Sequence, residues 1–169
     1  LWLNESFAEW ASHHAMVAAT EFTEAWPGFT NARKNWAYRQ DQLPSTHPIA
    51  ADNVDLQAVE VNFDGITYAK GASTLKQLVA WVGIDGFMAG LREYFKAHEF
   101  ANSEFADLLS ALEKASGREL ESWAQEWLQT SGVNTLAPVF EVGEDGTFSS
   151  FAVAQTAAPE FPTIRRHRI

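Results

Sequence analysis

A mainly α fold that ends in a short β-hairpin is the class this sequence predicts, and three observations predict it. Apolar residues recur at steps of three and four through the first 132 positions, the spacing of one helix face. Beyond Pro138 the period falls to two, with turn residues between two β-prone runs. Hydrophobic residues make up 46% of 169 positions, including seven Trp and twelve Phe, enough for one packed core without metal or disulfide staples.

The elements follow in order. Leu3, Phe7, Trp10, Ala11, His14 and Val17 line one face of an opening helix, with Asn4 as a plausible cap, and Trp26-Pro27-Gly28 is expected to end that unit. Phe29, Ala32, Trp36 and Leu43 suggest a second helix, stopped by Pro44-Ser45-Thr46-His47-Pro48. The stretch from Ala50 to Asp64 reads as loop. A third helix runs from Tyr68 through Leu75, Leu78, Val79 and Val82 to Gly83; a fourth carries Phe87, Met88, Leu91, Tyr94, Phe95 and His98. A fifth carries Phe105, Leu108, Leu109 and Leu112 and closes at Ser116-Gly117. The sixth carries Leu120, Trp123, Ala124, Trp127 and Leu128, with Ser131-Gly132 as its glycine stop. Val139 to Val142 and Phe148 to Ala154 then flank Gly143-Glu144-Asp145-Gly146 as a hairpin, and Thr163 to Ile169 is expected to begin another strand. The change of period places a domain boundary between residues 1–136 and 137–169.

Charge narrows the functional classes. Twenty-two acidic against twelve basic side chains give a net charge of −10, which disfavours nucleic acid and anionic membranes as partners. The absence of cysteine excludes a disulfide framework, a thiolate metal site and a cysteine nucleophile. It fits cytosol and export alike, with the cytoplasm as the expected compartment. No window reaches the ~18 apolar residues of a membrane span. Leu1 is not a methionine, and the chain reads as a piece of a longer polypeptide.

Two segments carry chemistry. Leu1-Trp2-Leu3-Asn4-Glu5-Ser6-Phe7-Ala8-Glu9 places a carboxylate in a first helical turn, where the helix dipole alone would favour an acid. Phe63-Asp64-Gly65-Ile66-Thr67-Tyr68-Ala69-Lys70-Gly71-Ala72-Ser73 places a tyrosine at a helix start, where a packing role would be the bland reading. Together they resemble the aminopeptidase N family of zinc metallopeptidases, the gluzincins. Ser45-Thr46-His47-Pro48-Ile49, the stretch from Tyr94 to Leu109, Trp127-Leu128-Gln129-Thr130-Ser131-Gly132 and Val133-Asn134-Thr135-Leu136 agree in family order, the last resembling the actinobacterial type.

The resemblance implies the helical later half of a thermolysin-like catalytic domain, followed by the first strands of a β-domain. It implies zinc as cofactor, with Glu5 as one ligand beside two histidines, and peptides as substrates whose N-terminal residues are removed. Two imidazoles and one carboxylate leave a coordination position open for water. Tyr68 is implied as the catalytic tyrosine that donates to the oxyanion, a contact typically worth ~2.7–4 kcal/mol. The family's His-Glu-x-x-His helix and Gly-x-Met-Glu-Asn loop are absent from these residues; His98-Glu99-Phe100-Ala101-Asn102 comes nearest, with Asn in place of the second ligand. The isolated chain is therefore expected to be inactive, to hold zinc weakly at most and to self-associate weakly.

Three further readings are modest. Glu9 and His13 have the i, i+4 spacing of a metal pair, but two ligands rarely suffice. His47 reads as a hydrogen-bonded turn residue, and Arg165-Arg166-His167-Arg168 as a strand or solvated tail. The rival class is a helical interaction module without catalytic ancestry.

Overall fold

The computed structural model describes residues 1–169. Helix α1 (Trp2–Ala19) leads into α2 (Ala25–Phe29), a π-turn (Thr30–Lys34) and α3 (Asn35–Gln40). After α4 (Leu56–Val61), a second π-turn (Ile66–Lys70) opens α5 (Gly71–Val82), followed by α6 (Ile84–Ala97), α7 (Phe105–Ser116) and α8 (Glu121–Leu128). The chain then forms one antiparallel hairpin, β1 (Asn134–Val142) and β2 (Phe148–Ala157). The class is mainly α with a short hairpin, as the two periods imply.

The apolar stripes meet in one core. Trp2 and Trp10 of α1 share this core with Ile66, Leu75, Leu78, Phe87, Leu108, Leu112 and Trp123. Trp10 meets Phe87 edge to face at 5.0 Å between ring centroids, and Trp2 meets Phe105 likewise at 5.0 Å, the arrangement aromatic quadrupoles favour. Asp107 accepts from the backbone N–H of Glu104 at 2.7 Å and so starts α7, which Gly117 ends in the left-handed conformation. No helix is long and apolar enough to cross a membrane.

The hairpin stands apart from that core. Asn134 pairs with Ala157 and Phe140 with Phe151, with an irregularity at Glu141/Val142. Nearly every residue of both strands is exposed. Phe140, Phe148 and Phe151 cluster on one face, 5.3 to 6.3 Å apart.

Several local expectations are corrected. Asn4 does not cap α1; the helix begins at Trp2, with Leu1 at the cap position. Trp26-Pro27-Gly28 lies inside α2, because Pro27 falls in a first turn, where its missing N–H would find no partner in any case. The stretch 50–64 is not all loop: Asp55 accepts from the N–H of Ala58 at 2.7 Å and caps α4. Gly132 does not end α8, which stops at Leu128; its N–H donates to Asp41 Oδ1 instead, at 2.9 Å. Residues 163–169 form no strand.

Nor is the basic tail solvated throughout, because Arg165 is buried. Its guanidinium donates to the carbonyls of Glu126, Ser131 and Gly132, each at 3.0 Å, to Asn134 Oδ1 at 3.0 Å and to Thr130 Oγ1 at 2.7 Å. The Glu126 carbonyl is one of those that the C-terminus of α8 leaves without a partner, the Ser131 and Gly132 carbonyls belong to the loop that follows, and a cation complements the negative end of the dipole. Arg166 is exposed and pairs with Glu126 at 2.8 Å.

Candidate functional site

The two chemistry-bearing segments, far apart in sequence, come together where α1 crosses the second π-turn. Ser6 is fully buried at the crossing and donates its hydroxyl to the carbonyl of Thr67 at 2.6 Å. Gly71 makes the approach possible: a Cβ there would lie 1.9 Å from Ser6 Oγ and 2.6 Å from Ser6 Cβ. Glu5 and Tyr68 each adjoin one end of the Ser6–Thr67 bond and face one another. The Tyr68 hydroxyl is held above its ordinary pKa, first by loss of solvation and then by the neighbouring Glu5 carboxylate.

A second acid stands one turn along α1. Glu9 takes a bidentate pair from Arg33 of the first π-turn, Nε to Oε1 at 2.8 Å and Nη2 to Oε2 at 3.0 Å. This fork geometry is the strong form of a carboxylate–guanidinium contact. Arg33 and Glu9 both act on Tyr68, the first lowering and the second raising its pKa, more weakly than Glu5. Glu9 and His13 therefore do not form a metal pair: the Glu9 carboxylate is occupied by Arg33, and His13 Nδ1 bonds the Glu9 carbonyl at 2.7 Å.

Behind the π-turn lies its anchor. Asp64 Oδ1 accepts from the N–H groups of Ile66 at 2.9 Å and Thr67 at 3.0 Å. Asp64 Oδ2 accepts from His47 Nε2 at 2.8 Å and from Gln40 Nε2, while Gln40 Oε1 accepts from the N–H of Gly65 at 2.7 Å. His47 is thus a hydrogen-bonded turn residue, with its pKa raised first by the bond to Asp64. At the far end of the turn, Lys70 forms a buried pair with Asp41 at 2.8 Å. Asp41 also accepts from Thr46 Oγ1 at 2.7 Å. Sequence reasoning passed over Ser6, Glu9 with Arg33, and Gln40. An acid just before a helix start, as in Phe63-Asp64-Gly65, is the signal that could have found the anchor.

A model of the peptidase family M1 domain matches residues 1–127. The chain belongs to peptidase family M1. It is 54% identical, over its whole length, to aminopeptidase N of Streptomyces lividans. It is 35% identical over 86% of its length to the tricorn protease-interacting factor F2 of Thermoplasma volcanium. To a probable aminopeptidase 2 of Sulfurisphaera tokodaii it is 34% identical over 87%. The chain spans between 18% and 21% of the length of these relatives. M1 membership removes the rival reading of a module without catalytic ancestry.

Zinc, the metal that the family resemblance implies, is not accommodated by these residues alone. No three His, Cys, Asp or Glu side chains converge on a point that could hold an ion. Glu5 offers one carboxylate, and a closed or catalytic zinc site takes three or four protein ligands. What these residues bring together is one carboxylate, Glu5, and one phenol hydroxyl, Tyr68, at the crossing of α1 and the second π-turn.

Proposed function

We propose that this chain supplies one carboxylate ligand and the oxyanion-binding hydroxyl of a zinc aminopeptidase, which removes N-terminal residues from peptides. The apposition of Glu5 and Tyr68 across the Ser6–Thr67 bond supports this above all else. The names of the relatives from Streptomyces and Sulfurisphaera, an aminopeptidase N and a probable aminopeptidase 2, agree with it. Zinc, when held by Glu5 together with two imidazoles that these residues do not provide, supplies Lewis acidity.

The roles of the chain's own residues follow. Glu5 would hold the metal as its one anionic ligand from this chain. Tyr68 remains a phenol at neutral pH, since its pKa is raised, and so keeps a proton to donate as negative charge grows on the scissile carbonyl oxygen. Arg33 occupies Glu9 and thereby leaves Glu5 as the free acid of the pair. The hairpin, outside the stretch matched by the M1 model, is assigned to the following β-domain. On its own the 169-residue chain is proposed to be inactive.

The test uses the full-length polypeptide that carries these residues with a His-Glu-x-x-His helix. Tyr68→Phe is expected to lower kcat on an aminoacyl anilide by about 10²–10³, the usual cost of one oxyanion donor. Zinc content should stay unchanged. Glu5→Gln is expected to lower zinc content itself. Full activity in Tyr68→Phe, or full zinc occupancy in Glu5→Gln, refutes the assignment of that residue.

A further inference from the structure

We propose that His47, held as an imidazolium, is a positioning residue that latches the turn presenting Tyr68. The inference takes the importance of Tyr68 from the proposed function, but its geometry stands independently. Both ring nitrogens of His47 face groups that can only accept: Nδ1 lies 2.7 Å from the Pro48 carbonyl and Nε2 lies 2.8 Å from Asp64 Oδ2. Asp64 has no proton of its own to offer, because four donors already fill it. They are the backbone N–H groups of Ile66 and Thr67, the Gln40 amide and the His47 ring, and a carboxylate has about four lone-pair sites. The Gln40 amide cannot be reversed either, since its oxygen accepts from the N–H of Gly65. Each ring nitrogen must therefore carry a hydrogen.

A neutral ring has one N–H for these two acceptors. Losing the proton would set a nitrogen lone pair against either the Pro48 carbonyl or the Asp64 carboxylate at under 3 Å. Asp64 would then shift or recruit another donor, and it is the group that holds the first amides of the π-turn. Thr67, the second of those amides, also receives Ser6 through its carbonyl, and Tyr68 is the next residue. The chain of contacts runs from His47 through Asp64 and Thr67 to the crossing of α1.

The charged groups facing the ring are Asp64, which stabilises the imidazolium, and Lys70, which opposes it along with burial. Lys70 is itself paired with Asp41. Asp64 dominates and the folded pKa is raised, so the latch is closed at low pH and opens as pH rises through that raised value.

The 169-residue chain, without metal or substrate, is sufficient for the test. Nitrogen-15 NMR of the His47 ring near pH 6 should show both nitrogens protonated. Hydrogen exchange at Ile66 and Thr67, corrected for its intrinsic pH dependence, should lose about 10- to 100-fold protection as the ring titrates, the equivalent of one charge-assisted hydrogen bond. Leu108 and Leu112 of α7 should show no such step. His47→Gln should abolish the step, and Asp64→Asn should return the ring's titration toward the ordinary histidine range. A singly protonated ring near pH 6, or an unchanged step in His47→Gln, overturns the proposal. If His47→Gln does not fold, the wild-type chain decides: the exchange step at Ile66 and Thr67 must coincide with the ring's own titration, and a step that does not follow it overturns the proposal. None of these readouts involves peptide hydrolysis, so an active Tyr68→Phe enzyme would refute the proposed function and leave the latch standing.

Discussion

Gly71→Ala is the most incisive test of the crossing that brings Glu5 to Tyr68. The added Cβ would lie 1.9 Å from Ser6 Oγ and 2.6 Å from Ser6 Cβ. The hydroxyl can rotate away, at the cost of its bond to Thr67, roughly 0.5–1.5 kcal/mol. The Cβ cannot, because it is fixed to the backbone of α1, so the helix itself must retreat by most of an ångström. Overpacking of this kind costs about 1–3 kcal/mol, set against a gain of up to about 1 kcal/mol from the helix preference of Ala over Gly. The expected net loss is about 1–3 kcal/mol, which for a chain of this size lowers Tm by roughly 2–4 °C per kcal/mol. Urea and thermal unfolding followed by circular dichroism would measure it. The informative comparison is between two double variants. Gly71→Ala with Ser6→Ala keeps the offending Cβ and should stay destabilised, whereas Gly71→Ala with Ser6→Gly removes it. The second should recover most of the packing cost, less the ~1 kcal/mol of a glycine within a helix. A single variant as stable as the wild-type chain, or equal stabilities for the two double variants, would refute the claim that Gly71 is what lets α1 approach the turn.

Three more outcomes are expected. Arg165→Lys, with three N–H donors where five now serve a buried cluster, should lose about 2–4 kcal/mol by leaving carbonyls of Glu126, Ser131 or Gly132 without partners; a change under about 0.5 kcal/mol in urea unfolding would contradict it. Zinc should not raise the Tm of the isolated chain, although a site at a hundredfold its Kd would add about 2.7 kcal/mol; a chelator-reversible rise in differential scanning calorimetry would count against a single inherited ligand. Sedimentation should show the average mass rising between micromolar and near-millimolar concentration, since the hairpin phenylalanines and the groove between α1 and α6 lined by Phe7, Trp10, Met88 and Phe95 are open to a second copy; a constant monomer mass would reject this.

The helical body was legible because its helices face the core: Leu75, Leu78, Phe87, Leu108 and Leu112 recur at helical spacing and all are buried. Helix α4 was not, because Leu56 and Val61 are 85% and 69% exposed and leave no stripe for periodicity to find. Its signal was the cap at Asp55, a cue of one residue. Arg165 escaped for the opposite reason. Its flanking charges describe a solvated segment, and its burial depends on carbonyls contributed by α8 and the loop after it, which no local pattern reveals. At the site, Glu5 and Tyr68 were found through family-like motifs, while the Ser6–Thr67 bond and the pairing of Glu9 with Arg33 were not. Their importance lies in long-range pairings, and a serine or acid within a helix is compatible with many surroundings.

The site also explains why this body contains two π-turns. A π-turn inserts a residue into a helix and re-aims the side chains beyond it, and such turns concentrate at functional sites. Along α1, Glu5 and Glu9 stand one turn apart on the same face. Each is met by a side chain from a different π-turn: Glu5 by Tyr68 of Ile66–Lys70, and Glu9 by Arg33 of Thr30–Lys34. The two acids are thereby given opposite fates. Glu9 is neutralised by a bidentate guanidinium and becomes a structural tie between α1 and the π-turn preceding α3. Glu5 meets the Tyr68 phenol and the Asn4 amide, at 3.4 Å, and no cation. Exchanging these partners would leave a cation beside the proposed ligand, where it would compete with a metal ion. Arg33→Leu should therefore weaken the fold by freeing Glu9, partly buried as it is, and should give the turn around Tyr68 a second unpaired carboxylate. The expected sign is a further rise in the Tyr68 pKa, because a cation that lowers it has gone and the Glu9 charge that raises it remains. Ultraviolet titration of the tyrosinate band, with Tyr68→Phe to assign the signal, measures this directly, and a fall in that pKa would show that the two acids are not divided in this way.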